Sequence, residues 1–229
     1  NLPSGAYTYT LINALGLELQ IISSKVFLVG DNPKSTIIQA ADAASNANNR
    51  VIGLFQSTVE ISNTTIRNGR CTVNVTSCGQ NEFTYGGGIL VRSSSELTLD
   101  NSHVQNNIAR ASGGGIYLSL GSHLNLLNGS SVSGNEVEEG GSFISGGGIG
   151  IRSNSDSALI DASIIYGNMV GDFANGGGIQ NGGHLTIQNG SEIYVNTAGK
   201  SGGGISNNSG ATLIVDASKV LGNISITGN

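Results

Sequence analysis

The stretch SGGGIYLSLGSHLNLLNGSSVSGN, residues 112–135, decides the fold. After its Gly-Gly-Gly-Ile it alternates apolar with polar residues. Leu124 and Leu126 flank Asn125, Val132 stands between Ser131 and Ser133, and Asn135 closes the unit. A period of two marks half-buried strands, and no window holds the 3.6-residue period of a helix. The abundant Gly, Asn and Ser also disfavour helix interiors.

The unit repeats. Gly-Gly-Gly-Ile occurs five times, ending at Ile89, Ile116, Ile149, Ile179 and Ile205. Behind each copy the same columns follow. The first apolar column is Leu97, Leu124, Ala158, Leu185 and Leu213, and the second is Leu99, Leu126, Ile160, Ile187 and Val215. The third is Val104, Val132, Ile165, Ile193 and Val220. Two residues before the third column stands a serine (Ser102, Ser130, Ser163, Ser191, Ser218). Three residues after it stands an asparagine (Asn107, Asn135, Asn168, Asn196, Asn223). A unit of this length cannot bury its inward side chains alone, whereas stacked copies at the ~4.8 Å strand spacing can.

The predicted fold is therefore all-β: a parallel β-helix, a solenoid of three-strand coils. The Gly run suits a bend that needs positive φ or close packing. The Asn column suits a second bend, with its amides pairing along a structural ladder. Before Gly86 the Gly run is missing, but short strands continue in 6–10, 17–22, 25–29, 35–40, 50–55 and 58–69, and Val59, Ile61 and Ile66 reproduce the later spacing. One domain, 1–229, is expected: irregular coils over 1–85 and five regular repeats over 86–229. The total is seven to eight coils, on the order of 35 Å of solenoid.

Composition limits the function. A net charge of −5 argues against a nucleic-acid partner, which needs a basic face. No apolar run reaches the ~20 residues of a membrane span. Cys71 and Cys78 lack the further ligands of a zinc site, leaving a disulfide that staples a loop, or two free thiols. The disulfide reading suits an oxidising compartment. No cofactor and no metal are expected. The chain opens at Asn1, consistent with a removed leader, and residue 229 falls where another Gly run is due. Both points suggest a piece of a longer surface protein, or one that associates end to end.

The columns resemble the chlamydial polymorphic outer-membrane protein repeat, with its Gly-Gly-Ala-Ile and Phe-x-x-Asn motifs. Gly-Gly-Gly-Ile stands for the first, and Val104–Asn107 and Ile165–Asn168 for the second, with Val or Ile in place of Phe. The opening LPSGAYTYT, STIIQA and VEISNTTIRNG is similar to large right-handed β-helix proteins of bacterial surfaces and secretions. The resemblance implies right-handed coiling, secretion or surface display, and adhesion or surface structure more than any reaction. It carries over no catalytic residue.

Long variable segments at 70–85, 136–145 and 169–175 lie between an Asn and the next Gly run, so they share one edge. Each carries a Phe three residues before its Gly run: Phe83, Phe143 and Phe173. Glu82, Tyr85, Glu136, Glu138, Glu139 and Asp172 accompany them. Two readings are open. These groups form a ligand surface for a cell-surface glycan or protein, or each Phe folds down to close its own loop. Asp100, Asp161 and Asp216 share a column on alternate coils. They read as solvated turn residues, or as a carboxylate pair in a polysaccharide-acting enzyme. His103, His123 and His184 fall at different repeat positions and form no evident cluster. The expectation is a non-enzymatic extracellular or cell-surface solenoid, an adhesin or stalk. The alternative is a lyase or glycoside hydrolase of the pectate-lyase-like fold.

Overall fold

Each repeat is one coil, and like residues of successive coils lie on one another in parallel pairs. The computed structural model describes residues 4–8, 18–72, 78, 84–138 and 145–227. Among them the strands form four parallel sheets, stacked as a β-solenoid of about seven turns with one short 3₁₀ turn, Ala44–Asn46.

Sheet I contains the isoleucine of each Gly-Gly-Gly-Ile, in strands such as Ile89–Arg92 and Ile116–Ser119, with Ile116 paired to Ile89 and Ile149. Sheet II carries the two leucine-type columns, in strands such as Glu96–Asp100 and His123–Leu127. Sheet III carries the third column, in strands such as His103–Gln105 and Ser131–Ser133. The inward residues of these sheets make one core running from Ile21 to Ile193, nearly all of it without solvent contact. Removing each such aliphatic side chain from water stabilises the coil stack by about 1.5–3 kcal/mol.

Coils expected to hold three strands hold four where sheet IV is present. Sheet IV is made of two-residue strands just after each ladder position, which is Gly69 in the first case and an asparagine in the rest: Arg70–Cys71, Ile108–Ala109, Glu136–Val137, Met169–Val170, Thr197–Ala198 and Ile224–Ser225. Its inward residues Ala109, Val137, Val170 and Ala198 pack with Ala174 in a second, smaller core. A strand with one inward side chain shows no alternation, so its pattern merges with the loop that follows.

The corners repeat one device: a residue at positive φ, followed directly or after a glycine by a polar residue bonded to the next coil. Between sheets II and III the left-handed residues are Asn63, Asn101, Asn128, Ala162, Asn189 and Ala217. The serine column follows, and Ser102 N donates to Ser130 Oγ at 3.0 Å. Between sheets III and IV the left-handed residues are Asn68, Asn106, Gly134, Gly167, Val195 and Gly222. After all of these but Asn68, which Gly69 follows, the ladder asparagines come next and are not themselves at positive φ, so their role is the amide and not the bend. At the corner between sheets I and II, Ser57, Ser95 and Ser122 form a third ladder, ended by the buried Asp156. Its Oδ1 accepts Ser122 N at 3.0 Å, and its Oδ2 accepts Ser153 N at 3.1 Å.

Candidate functional site

The asparagine ladder is the most regular polar feature. Asn107 Nδ2 donates to Asn135 Oδ1 at 2.9 Å, Asn135 to Asn168 at 3.0 Å, Asn168 to Asn196 at 2.9 Å and Asn196 to Asn223 at 2.9 Å. Each receiving oxygen also accepts the backbone N–H of the donating asparagine, at 3.0 Å. Gly69 occupies the ladder position one coil earlier and donates its N–H to Asn107 Oδ1 at 2.9 Å. These amides are consumed by the scaffold, as buried polar groups must be.

The loop edge lies between sheets IV and I. Phe173 sits at the tip of the turn Gly171–Ala174, closed by Ala174 N donating to Gly171 O at 3.3 Å. Its side chain is 78 % exposed and its φ is +66°. A bulky residue at positive φ is strained, by about 1–3 kcal/mol. Phe173 therefore does not fold down to close its loop. Ala174 does, and is buried in the small core. Asp172 is exposed beside Phe173. A Cβ on Gly199 would strike the Gly171 carbonyl, so the glycine of the next coil lets this turn pack.

Tyr85 is placed differently. Its ring stacks on the buried Tyr117 with centroids 4.6 Å apart, so it covers sheet I and is not a free platform. It lies three coils from the Phe173 turn, roughly 14 Å at the strand spacing. Phe83, Phe143, Glu82 and Glu139 lie outside the described residues. Glu138 is engaged by Arg70 at 2.8 Å. Of the expected surface, Phe173 and Asp172 share one turn, Glu138 lies on the preceding coil against Gly171, and Glu136 sits in sheet IV paired with Met169.

Cys71 and Cys78 are joined by a disulfide, with both residues buried. Beside it, the buried Arg50 donates Nη2 to Cys78 O at 2.7 Å and lies 3.8 Å from Glu18 Oε1.

Asp100 and Asp161 of the aspartate column are tied to the following coil. Asp100 Oδ1 accepts Asn128 Nδ2 at 2.9 Å. Asp161 accepts Gln188 Nε2 at 2.7 Å and Asn189 Nδ2 at 2.9 Å, and these bonds hold its carboxyl below the usual range. The histidine reading needs correction. His123 and His184 share one outward column of sheet II, with Ser157 between them. His123 Nδ1 lies 2.8 Å from Ser157 Oγ, and on sheet III His103 Nδ1 lies 2.9 Å from Ser131 Oγ. Each histidine precedes an inward apolar residue by one, and that offset was the signal to read. Partial burial, assisted by the Lys34 charge, lowers the His103 pKa against an opposing hydrogen bond at Ser102.

The chain matches no family model, no curated protein and no solved structure. Among the described residues no group of three or more His, Cys, Asp and Glu is arranged to hold a metal ion, and no helix is long and apolar enough to cross a membrane.

Proposed function

We propose that the chain is an adhesin- or stalk-type solenoid of a cell surface or secretion, and that its loop edge contacts a glycan or protein through Phe173. The observation that carries this reading is an exposed phenylalanine on a left-handed backbone, next to an alanine that already anchors the turn. Strained, exposed aromatic residues cost stability, so one that the turn does not need for its own closure has a claim to function. Scaffold use of the interior polar groups supports the same view, since the Asn and Ser ladders spend their amides and hydroxyls on neighbouring coils. The resemblance to bacterial surface repeats supports surface display, and the Cys71–Cys78 bridge supports an oxidising setting.

The test pairs a glycan array and a binding assay on host-cell surfaces with a polysaccharide-degradation screen, using the parent chain and Phe173→Ala. The expected result is retention that Phe173→Ala abolishes while its circular dichroism stays unchanged. Release of products from any uronate polymer would overturn the reading in favour of an enzyme. Equal retention of both chains would remove Phe173 from it.

A further inference from the structure

On the outer face of sheet II, the first three strands line up Lys25, Thr58 and Glu96 in one row across the strands, and Phe27, Glu60 and Thr98 in the next. A shallow groove of about 210 Å³ runs over these six side chains. Phe27 is 57 % exposed, and the Lys25 ammonium stands 5.3 Å from its ring centroid. The next strand steadies the far side: Asn125 Nδ2 donates to Glu96 Oε1 at 3.2 Å and to Thr98 Oγ1 at 3.3 Å. Among the described residues no hydrogen bond or ion pair engages the Glu60 carboxylate. Farther along the same face, Gln188 meets Asp161 at 2.7 Å.

We propose that this groove binds one neutral hexose unit of a glycan, at a site separate from the loop edge. A pyranose has an apolar C–H face and a rim of hydroxyls. The Phe27 ring offers a flat apolar surface to the first. Glu60, Glu96, Thr58 and Thr98 accept from or donate to the second, at the ~4.8 Å and ~6.8 Å intervals of a sheet surface. Lys25 supplies donors at the same end. Two carboxylates face one ammonium here, in a chain of net charge −5, so a uronate is repelled and a neutral sugar is not. The groove is open and shallow, so a single unit binds weakly and a polymer gains by multivalent attachment.

The experiment is NMR titration of the full chain with cellohexaose, maltohexaose, mannohexaose and galactohexaose as neutral probes, and a galacturonate hexamer as the anionic one. The expected result is saturable shifts at residues 25–27, 58–60 and 96–98 with at least one neutral probe. Binding should weaken at least about tenfold in both Phe27→Ala and Glu60→Gln and stay unchanged in Phe173→Ala. Both substituted residues are exposed, so the core is not cut, and unchanged amide spectra elsewhere check that each variant folds. Absence of saturable shifts with every neutral probe would overturn the proposal, as would preference for the galacturonate hexamer or full binding by Phe27→Ala. Binding lost only in Phe173→Ala would sink the groove and leave the loop-edge reading standing.

Discussion

Gly115 and Asn135 share one space: a Cβ on Gly115 would lie 2.9 Å from Asn135 Nδ2. The contact repeats along the solenoid, at Gly88 with Asn107, Gly148 with Asn168, Gly178 with Asn196 and Gly204 with Asn223. The third glycine of every Gly-Gly-Gly-Ile thus has no room for a side chain, because the ladder amide and, at all but Gly204, the carbonyl of the next coil's third glycine fill its place. The first glycine of each run has positive φ, as at Gly113 with +61°. The second meets the backbone of the neighbouring coil.

Asn135→Ala should therefore be among the costliest single changes. It takes the acceptor from the buried Asn107 backbone N–H, about 1–3 kcal/mol when left unpaired, and removes the side-chain bonds to Val104 O and Asn168 Oδ1. Gly115→Ala should cost a similar amount by collision. Because the two residues meet, the double variant should lose less than the sum of the single losses. Urea unfolding of the four chains measures this, and strict additivity would show that the contact does not matter.

The sequence made the core legible because columns of Ile, Leu and Val recur in register, and one stacking satisfies them all. The Asn ladder was legible for the same reason. Sheet IV was not, since each of its strands has a single inward residue, as at Val137 between Glu136 and Glu138. Phe173 and Ala174 are both apolar and adjacent, so pattern alone could not say which one anchors the loop. That choice is made by the turn geometry at Gly171–Ala174. The groove at Phe27 was hidden because it needs outward residues from three coils, two of them in the irregular N-terminal part where no repeat aligns the strands.

Val195 occupies a corner position that other coils give to Asn106, Gly134, Gly167 and Gly222, and its φ is +55°. A β-branched residue there is strained, and at 59 % exposure it gains little from burial. Val195→Asn should raise stability by about 1 kcal/mol, because asparagine tolerates the left-handed region. A higher urea midpoint with unchanged slope is the expected outcome. A lower midpoint would mean that the valine makes contacts worth more than its strain.

His103 should titrate below its ordinary value near 6.5, since partial burial disfavours the imidazolium. The unfolded chain then takes up a proton before the folded chain does. The stability this group contributes is complete above pH 6.5 and drains away as pH falls through the folded pKa. NMR titration of the ring should give a midpoint under 6.5. In His103→Gln the decline in urea midpoint from pH 7 to pH 5 should be smaller than in the parent chain. An unchanged decline would place its cause elsewhere.

The Cys71–Cys78 bridge joins residues seven apart, next to sheet IV, with both residues buried. A loop this short restricts the unfolded chain modestly, by about 2.5 kcal/mol on chain-entropy grounds. Replacing both cysteines by serine should cost roughly that amount, plus the cost of burying two hydroxyls. Before any reductant is added, the native protein should take up no iodoacetamide. After reduction it should react slowly, because each sulfur must first be exposed by local opening. Prompt labelling of the untreated protein would show free thiols and would remove the argument for an oxidising compartment, since that argument rests on the bridge being formed.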